Sequence, residues 1–234
     1  MCRMALGVFE KEGRVTDIVP MSRKDMARRV AQDVQEGWYV NLGIGIPTMI
    51  ADFISNGREV VLHSENGILG MGPNALAGQD RSPTHQRRQT ACDSAAGGAF
   101  FHHADSFAMI RGGHIDLCAL GAFEVAQNGD LANWATSAAD AAPAVGGAMD
   151  LAGGAKHSWV VTEHTTKEGA PKLVERCSYP LTALGAVSRI YTNLAVIDVT
   201  AAGFSVREMV PSLTLAMLKA QTAASSRLTE TIDA

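Results

Sequence analysis

Two β-rich runs each lead straight into a glycine turn, and this alternation constrains the fold more than any other feature. Trp38-Tyr39-Val40-Asn41-Leu42 enters Gly43-Ile44-Gly45-Ile46-Pro47, and Glu59-Val60-Val61-Leu62-His63 passes through Ser64 into Glu65-Asn66-Gly67-Ile68-Leu69-Gly70-Met71-Gly72-Pro73. Pro47 suits the first turn of a helix that residues 48–55 would continue, with Asn56-Gly57 as a turn. Upstream, Ser22 reads as an N-cap, and Met26, Val30 and Val34 with Ala27 and Ala31 form one helical face closed by Gly37. Further strands are predicted around 115–120, 159–162, 191–199 and 204–206, with helices at 105–110 and 212–222. Strand, glycine turn, helix, strand is the rhythm of an α/β fold, an open and mostly parallel sheet with flanking helices. Residues 1–20 read as an N-terminal extension and 21–234 as a single domain. Two stretches break the rhythm and read as surface loops: the polar residues 78–98, and the alanine-rich residues 135–145.

Composition excludes several function classes. The 234 residues are 47% hydrophobic, enough for one substantial core, and 20 basic against 24 acidic side chains give a net charge of −4. No broad basic footprint for nucleic acid results. No stretch approaches the roughly 20 apolar residues of a membrane span. Cys2, Cys92, Cys118 and Cys177 form no CxxC pair or metal-ligand spacing, which points to a reducing, cytoplasmic setting without a metal. Cys118 reads as a small buried hydrophobe. His102-His103, taken as neighbours on one strand, would face opposite ways and make no metal site.

Chemistry concentrates in the turns. Glu65 stands where a strand ends, and Gly67, Gly70 and Gly72 clear side chains from around it. Ligands of open α/β sheets bind beyond the carboxyl ends of strands. The residues alone leave two readings open, a reactive carboxylate in an uncluttered mouth or a surface Glu before a glycine turn. Residues 41–47 lack the third glycine of a dinucleotide fingerprint and the Lys of a phosphate-binding loop. Asn41 there either donates to an oxyanion or stabilises the turn. Gly146-Gly147-Ala148 either exposes backbone N–H groups to a developing charge or lets two elements pack closely.

Together these segments resemble the B (beta) subunit of family I coenzyme A transferases, the group of succinyl-CoA:3-ketoacid and 3-oxoadipate CoA-transferases. The matching stretches are residues 41–47, 64–73, 106–117, 129–134, 146–151 and 176–182, in order, within a match running from about 22 to 223. The resemblance implies the NagB/RpiA-like CoA-transferase fold and a ping-pong transfer of CoA between an acyl-CoA, such as succinyl-CoA, and a 3-oxo acid. It makes Glu65 the catalytic carboxylate that becomes acylated and then carries CoA as a thioester. It places Asn41 beside the glutamyl carbonyl, with Gly67, Gly70, Gly72, Gly147 and Ala148 lining the CoA and substrate site. No permanently bound cofactor is implied; coenzyme A is a substrate. An A (alpha) subunit is implied as partner, commonly in an A2B2 heterotetramer.

The chain departs from the family pattern at three places. His85-Gln86-Arg87-Arg88-Gln89 replaces Ile-Asn-Ala-Gly-Lys, residues 135–145 replace Met-Ile-Pro-Gly-Lys, and His63 stands where Gln is usual. Acid specificity is expected to follow these changes. A silent partner subunit is the different-class alternative, and a sugar-phosphate isomerase using Glu65 as a base is disfavoured by the lack of a phosphate loop.

Overall fold

Leu117 and Ala119 face one hydrophobic layer while Cys118 and Leu120, between and after them, face another. A strand buried on both faces needs cover above and below, and the computed structural model of this protein supplies it. The structure describes residues 18–54, 57–74, 92–136, 145–224 and 228–230. Most of the expected extension, Asn56, Arg87-Arg88 and most of the alanine-rich stretch lie outside the described residues.

In chain order the elements are α1 (Arg23–Asp33), β1 (Tyr39–Leu42), a 3-10 helix (Pro47–Phe53), β2 (Val61–Ser64), β3 (Ile68–Asn74), β4 (Cys92–Phe100) and α2 (His103–Arg111). There follow β5 (Leu117–Leu120), β6 (Glu124–Ala126), β7 (Leu131–Ala132), α3 (Ala148–Gly154), β8 (His157–Thr162) and β9 (Leu173–Val174). The chain continues with β10 (Val187–Thr192), β11 (Ala195–Thr200), β12 (Gly203–Met209), α4 (Leu215–Ala220) and β13 (Leu228–Glu230).

The large sheet has the order β13-β12-β11-β10-β8-β5-β1-β2-β3-β4. Its centre, β10-β8-β5-β1-β2, is wholly parallel, and antiparallel strands flank it on both sides. Below it, α1 and the 3-10 helix bury Met26, Ala27, Val30, Ala31 and Ile50 against Val40, Leu62, Leu117, Trp159 and Val161. Above it, α2, α3 and α4 bring Ile110, Leu151 and Leu218 to Cys118, Leu120, Val160, Ile190 and Ile197. Each fully buried aliphatic side chain contributes roughly 1.5–3 kcal/mol, so both layers are strongly specified. A second, three-stranded sheet, β7-β6-β9, stands beyond the end of β5.

Ser22 caps α1 as expected, its hydroxyl accepting from the Asp25 N–H at 3.2 Å. The helix stops at Asp33 rather than near Gly37, which instead turns the chain into β1 with φ +80°. The expected glycine loop is shorter than its glycines suggest: only Glu65, Asn66 and Gly67 turn, and Gly70 and Gly72 lie within β3. Residues 92–98, expected in a loop, belong to β4, because the antiparallel edge at β3 accepts their backbone in spite of their small, weakly patterned side chains. The single strand expected over 191–199 is a hairpin, reversed at Asn193-Leu194, where the Thr192 hydroxyl accepts from the Leu194 and Ala195 N–H groups. His102 and His103 share no strand: they open α2, with His102 Nδ1 accepting from the Ala104 N–H at 3.1 Å.

Candidate active site

The parallel strands β8, β5, β1 and β2 end side by side at Thr162, Leu120, Leu42 and Ser64, and all four residues border one cleft of about 800 Å³. Parallel strands leave a crevice at their carboxyl ends where connections diverge. Glu65 follows directly on β2 and lines this cleft, half-buried. Its turn is closed by the Gly67 N–H donating to the Ser64 carbonyl at 3.0 Å. Gly67 is required there: its φ is +91°, and a Cβ would lie 2.1 Å from the Phe101 carbonyl oxygen. Across the cleft, α3 begins at Gly147. A Cβ on Gly147 would sit 3.0 Å from the Phe107 ring and 3.9 Å from Glu65 Cγ, so only a bare backbone leaves this wall open beside the carboxylate.

Beneath Glu65 the sheet carries polar residues where alternation calls for apolar ones. Val40 and Leu62 face the α1 layer, so Asn41 and His63, adjacent in register, face α2. Both are about 1% exposed, and Ser106 on α2 is fully buried. Asn41 Nδ2 lies 3.1 Å from His63 Nδ1 and 3.2 Å from the His63 carbonyl. An amide nitrogen only donates, so His63 Nδ1 accepts and the ring proton resides on Nε2. Nε2 meets Ser106 Oγ at 2.8 Å, and Ser106 donates to the Ser64 carbonyl at 3.0 Å. This buried relay therefore ends on the peptide that leads into Glu65. Burial pushes the His63 pKa down to about 4, keeping it neutral and able to hold this one orientation.

A sequence model of the coenzyme A transferase family matches residues 23–221. The chain belongs to the coenzyme A transferase family. Among relatives, the beta-type (B) subunit of 3-oxoadipate CoA-transferase from Pseudomonas putida is 55% identical over 189 residues, 81% of this chain and 88% of that one. The B subunit of succinyl-CoA:3-ketoacid coenzyme A transferase from Helicobacter pylori is 43% identical over 202 residues, 86% of this chain and 97% of that one. These place it with the family's B subunits, as a CoA-transferase enzyme. Glutaconate coenzyme A-transferase from Acidaminococcus fermentans shares the fold with TM-score 0.66 at 12% identity, over 92% of this chain and 91% of that one. The acyl-CoA transferase YdiF of Escherichia coli shares it with TM-score 0.68 at 19% identity, over 94% of this chain, which spans 46% of that longer chain.

Of the residues singled out in the sequence of this CoA-transferase, the cleft brings together Glu65, Gly147 and Ala148. Gly67 shapes the turn from behind, and Gly70 packs against Gly98 across the β3–β4 pair, where a Cβ would lie 3.1 Å from the Gly98 Cα. Gly72 lies further along β3, among residues 68–74 and away from the four strand ends. Two expected donors are already engaged. The amide nitrogen of Asn41 serves His63 twice, and the Ala148 N–H donates to the Val145 carbonyl at 3.1 Å. Asn41 Oδ1 is buried without a partner among the described residues, and as an acceptor it cannot stabilise an oxyanion.

Sequence reasoning missed Ser106, Phe107 and Lys172. Ser106 and Phe107 sit in a helix whose existence the sequence predicts, but nothing in a single sequence says which strand that helix will cover. The walls of the cleft also rest on the missed small sheet. Glu124 on β6 accepts from the Ser178 N–H at 2.6 Å and from its hydroxyl at 2.8 Å, and Thr182 donates to Asn133 Oδ1 at 2.6 Å. Those bonds hold Asn133 and Trp134 at the cleft rim.

Proposed function

We propose that this protein, joined to an alpha-type partner in a cytoplasmic A2B2 heterotetramer, transfers CoA from succinyl-CoA to a 3-oxo acid, with 3-oxoadipate as the first candidate, through a thioester on Glu65. The observation that carries the reading is the placement of Glu65 at the end of β2, half-buried in the cleft and faced by the bare backbone of Gly147. The high identity to a 3-oxoadipate CoA-transferase supports the choice of acid.

In the first half-reaction a Glu65 carboxylate oxygen attacks the thioester carbonyl, the C–S bond breaks, and CoA leaves as a thiolate. The thiolate then attacks the glutamyl carbonyl of the mixed anhydride, releasing the donor acid as a carboxylate and leaving CoA on Glu65. The acceptor carboxylate attacks this thioester, and the released thiolate takes the new acyl group, restoring Glu65. No proton is gained or lost over the cycle. A carboxylate is a weak nucleophile, so holding the reactants in line matters most and can contribute roughly 7–11 kcal/mol. Contacts along the long CoA arm supply energy to reach that geometry. Asn41 contributes from beneath, by orienting His63.

The test is to incubate the complex of this protein and its alpha-type partner with acyl-CoA and map peptides by mass. A CoA thioester on Glu65, lost together with turnover in a folded Glu65→Gln complex, is the expected result. Unchanged turnover in that variant would instead identify a silent subunit whose partner does the chemistry.

A further inference from the structure

At the opposite side of the cleft from Glu65, the Lys172 ammonium donates to Thr162 Oγ1 at 3.0 Å and to the Ala122 carbonyl at 3.3 Å. The Thr162 hydroxyl donates to that same carbonyl at 3.2 Å. Both acceptors of Lys172 are neutral. Glu163, whose field reaches Lys172, is paired with Arg23 at 3.4 Å, and among the described residues no carboxylate comes within ion-pair distance of Lys172 Nζ. Lys172 is half-buried and lines the cleft together with Ala122 and Thr162. Desolvation pushes its pKa down. An ammonium has three N–H donors, so two neutral partners leave one for a ligand. A partly desolvated cation without a counter-ion is unfavourable until an anion joins it.

We propose that Lys172 binds the distal carboxylate of a dicarboxylic acyl group whose other end reacts at Glu65; the assignment rests on the transfer reaction proposed above. The strand order sets the reach. Glu65 extends from the end of β2, while Lys172 Nζ is held between residues that follow β5 and end β8. That separation is two to three strand spacings, roughly 10–14 Å. An extended acid of four to six carbons covers about 4–6 Å between its end carbons. The Glu65 side chain and a terminal hydrogen bond of about 3 Å take up the remainder. Lys172 thus selects by charge at a distance from the reacting carbonyl, where a monocarboxylic acid of equal length presents only a methyl group. That methyl group would leave the ammonium unpaired.

The test uses the complex with the alpha-type partner and matched inhibitors of transfer: adipate against hexanoate, and succinate against butyrate. A charge-assisted hydrogen bond predicts that the native complex prefers each diacid by roughly 10-fold or more. Lys172→Met is expected to abolish most of that preference by weakening the diacids, with the monoacids moving less than about 2-fold, and Lys172→Arg to restore part of it. Equal inhibition by both classes in the native complex, or an unchanged preference in Lys172→Met, would overturn the assignment. So would dissociation of the Lys172→Met complex on gel filtration, which would mean that the ammonium pairs with the other polypeptide. Equilibrium binding of adipate and hexanoate to the complex reads Lys172 even if no CoA transfer occurs, so failure of the proposed reaction is separable from failure of this subsite.

Discussion

His63 Nε2 and Ser106 Oγ, 43 residues apart in sequence, meet at 2.8 Å beneath the turn that carries Glu65. The contact closes a path from β1 to α2 and back to the Ser64 carbonyl, so one peptide beside the proposed nucleophile is held from below. Ser106→Ala would leave the His63 N–H unpaired in a buried place and the Ser64 carbonyl with the Gly67 N–H as its remaining donor. The expected result is a loss of about 1–3 kcal/mol in unfolding free energy. Transfer assays should show a fall in kcat larger than any change in KM, because Glu65 is misplaced rather than its ligands released. His63→Ala should behave alike, and His63→Gln, whose amide can still donate toward Ser106, should recover much of the kcat.

Acid should destabilise this protein over a defined window. Burial pushes His63 and His164 down to about 4, below the value near 6.5 of an unfolded chain. His164 is fully buried between the Thr192 and Thr222 hydroxyls, at 3.1 and 3.0 Å. Between these pH values the unfolded state binds more protons than the native one. Stability is therefore full above pH 6.5 and declines as the pH falls toward 4, by up to about 3 kcal/mol for each histidine. Denaturant unfolding at pH 7.5, 5.5 and 4.5 measures it. His63→Gln should remove about half of the slope; a flat profile would refute the buried neutral pair.

Gly67→Ala places a methyl group 2.1 Å from the Phe101 carbonyl at a φ of +91°. Backbone must move on both sides of the Glu65 turn, since Phe101 N–H donates to the Gly67 carbonyl at 3.0 Å. A loss of at least about 2–3 kcal/mol is expected in thermal or denaturant unfolding, together with nearly complete loss of transfer.

Gly147→Ala separates space from stability. Its φ is −84°, ordinary for alanine, and the nearest obstacles are the Phe107 ring at 3.0 Å and Glu65 Cγ at 3.9 Å. Phe107 can shift by a few tenths of an ångström, so unfolding should change by less than about 1 kcal/mol. The added methyl group narrows the approach to Glu65, and steady-state kinetics should show reduced kcat/KM. Native kinetics in this variant would show that Gly147 does not border the reacting groups.

Much of the fold is legible in particular residues. The helical face of Met26, Val30 and Val34 is buried as its spacing predicts, and the glycine turns take positive φ at Gly45 and Gly67. The sequence puts Glu65 at a strand end, where the structure has it; that this end borders a cleft comes from the tertiary structure. Other elements gave weak signals. The strands of the small sheet are two or three residues long, too short for alternation to register, and β4 is written mostly in small residues. In α3, helix formation overrides two glycines at its end because Leu151 and Ala152 pack beneath it.

By itself the sequence determined the local rules: which faces are apolar, where glycine must turn the chain, and that a carboxylate follows β2. Those depend on neighbours within a few positions, through steric limits on φ and the 3.6- and 2-residue periods. Only the tertiary structure decided that His63 meets Ser106, that Asn41 spends its donors on His63, and that Lys172 lines the cleft of Glu65 with no carboxylate within ion-pair distance among the described residues. These pairings join strands and helices distant along the chain. Their partners are chosen by which layers pack together, and no local spacing encodes that choice.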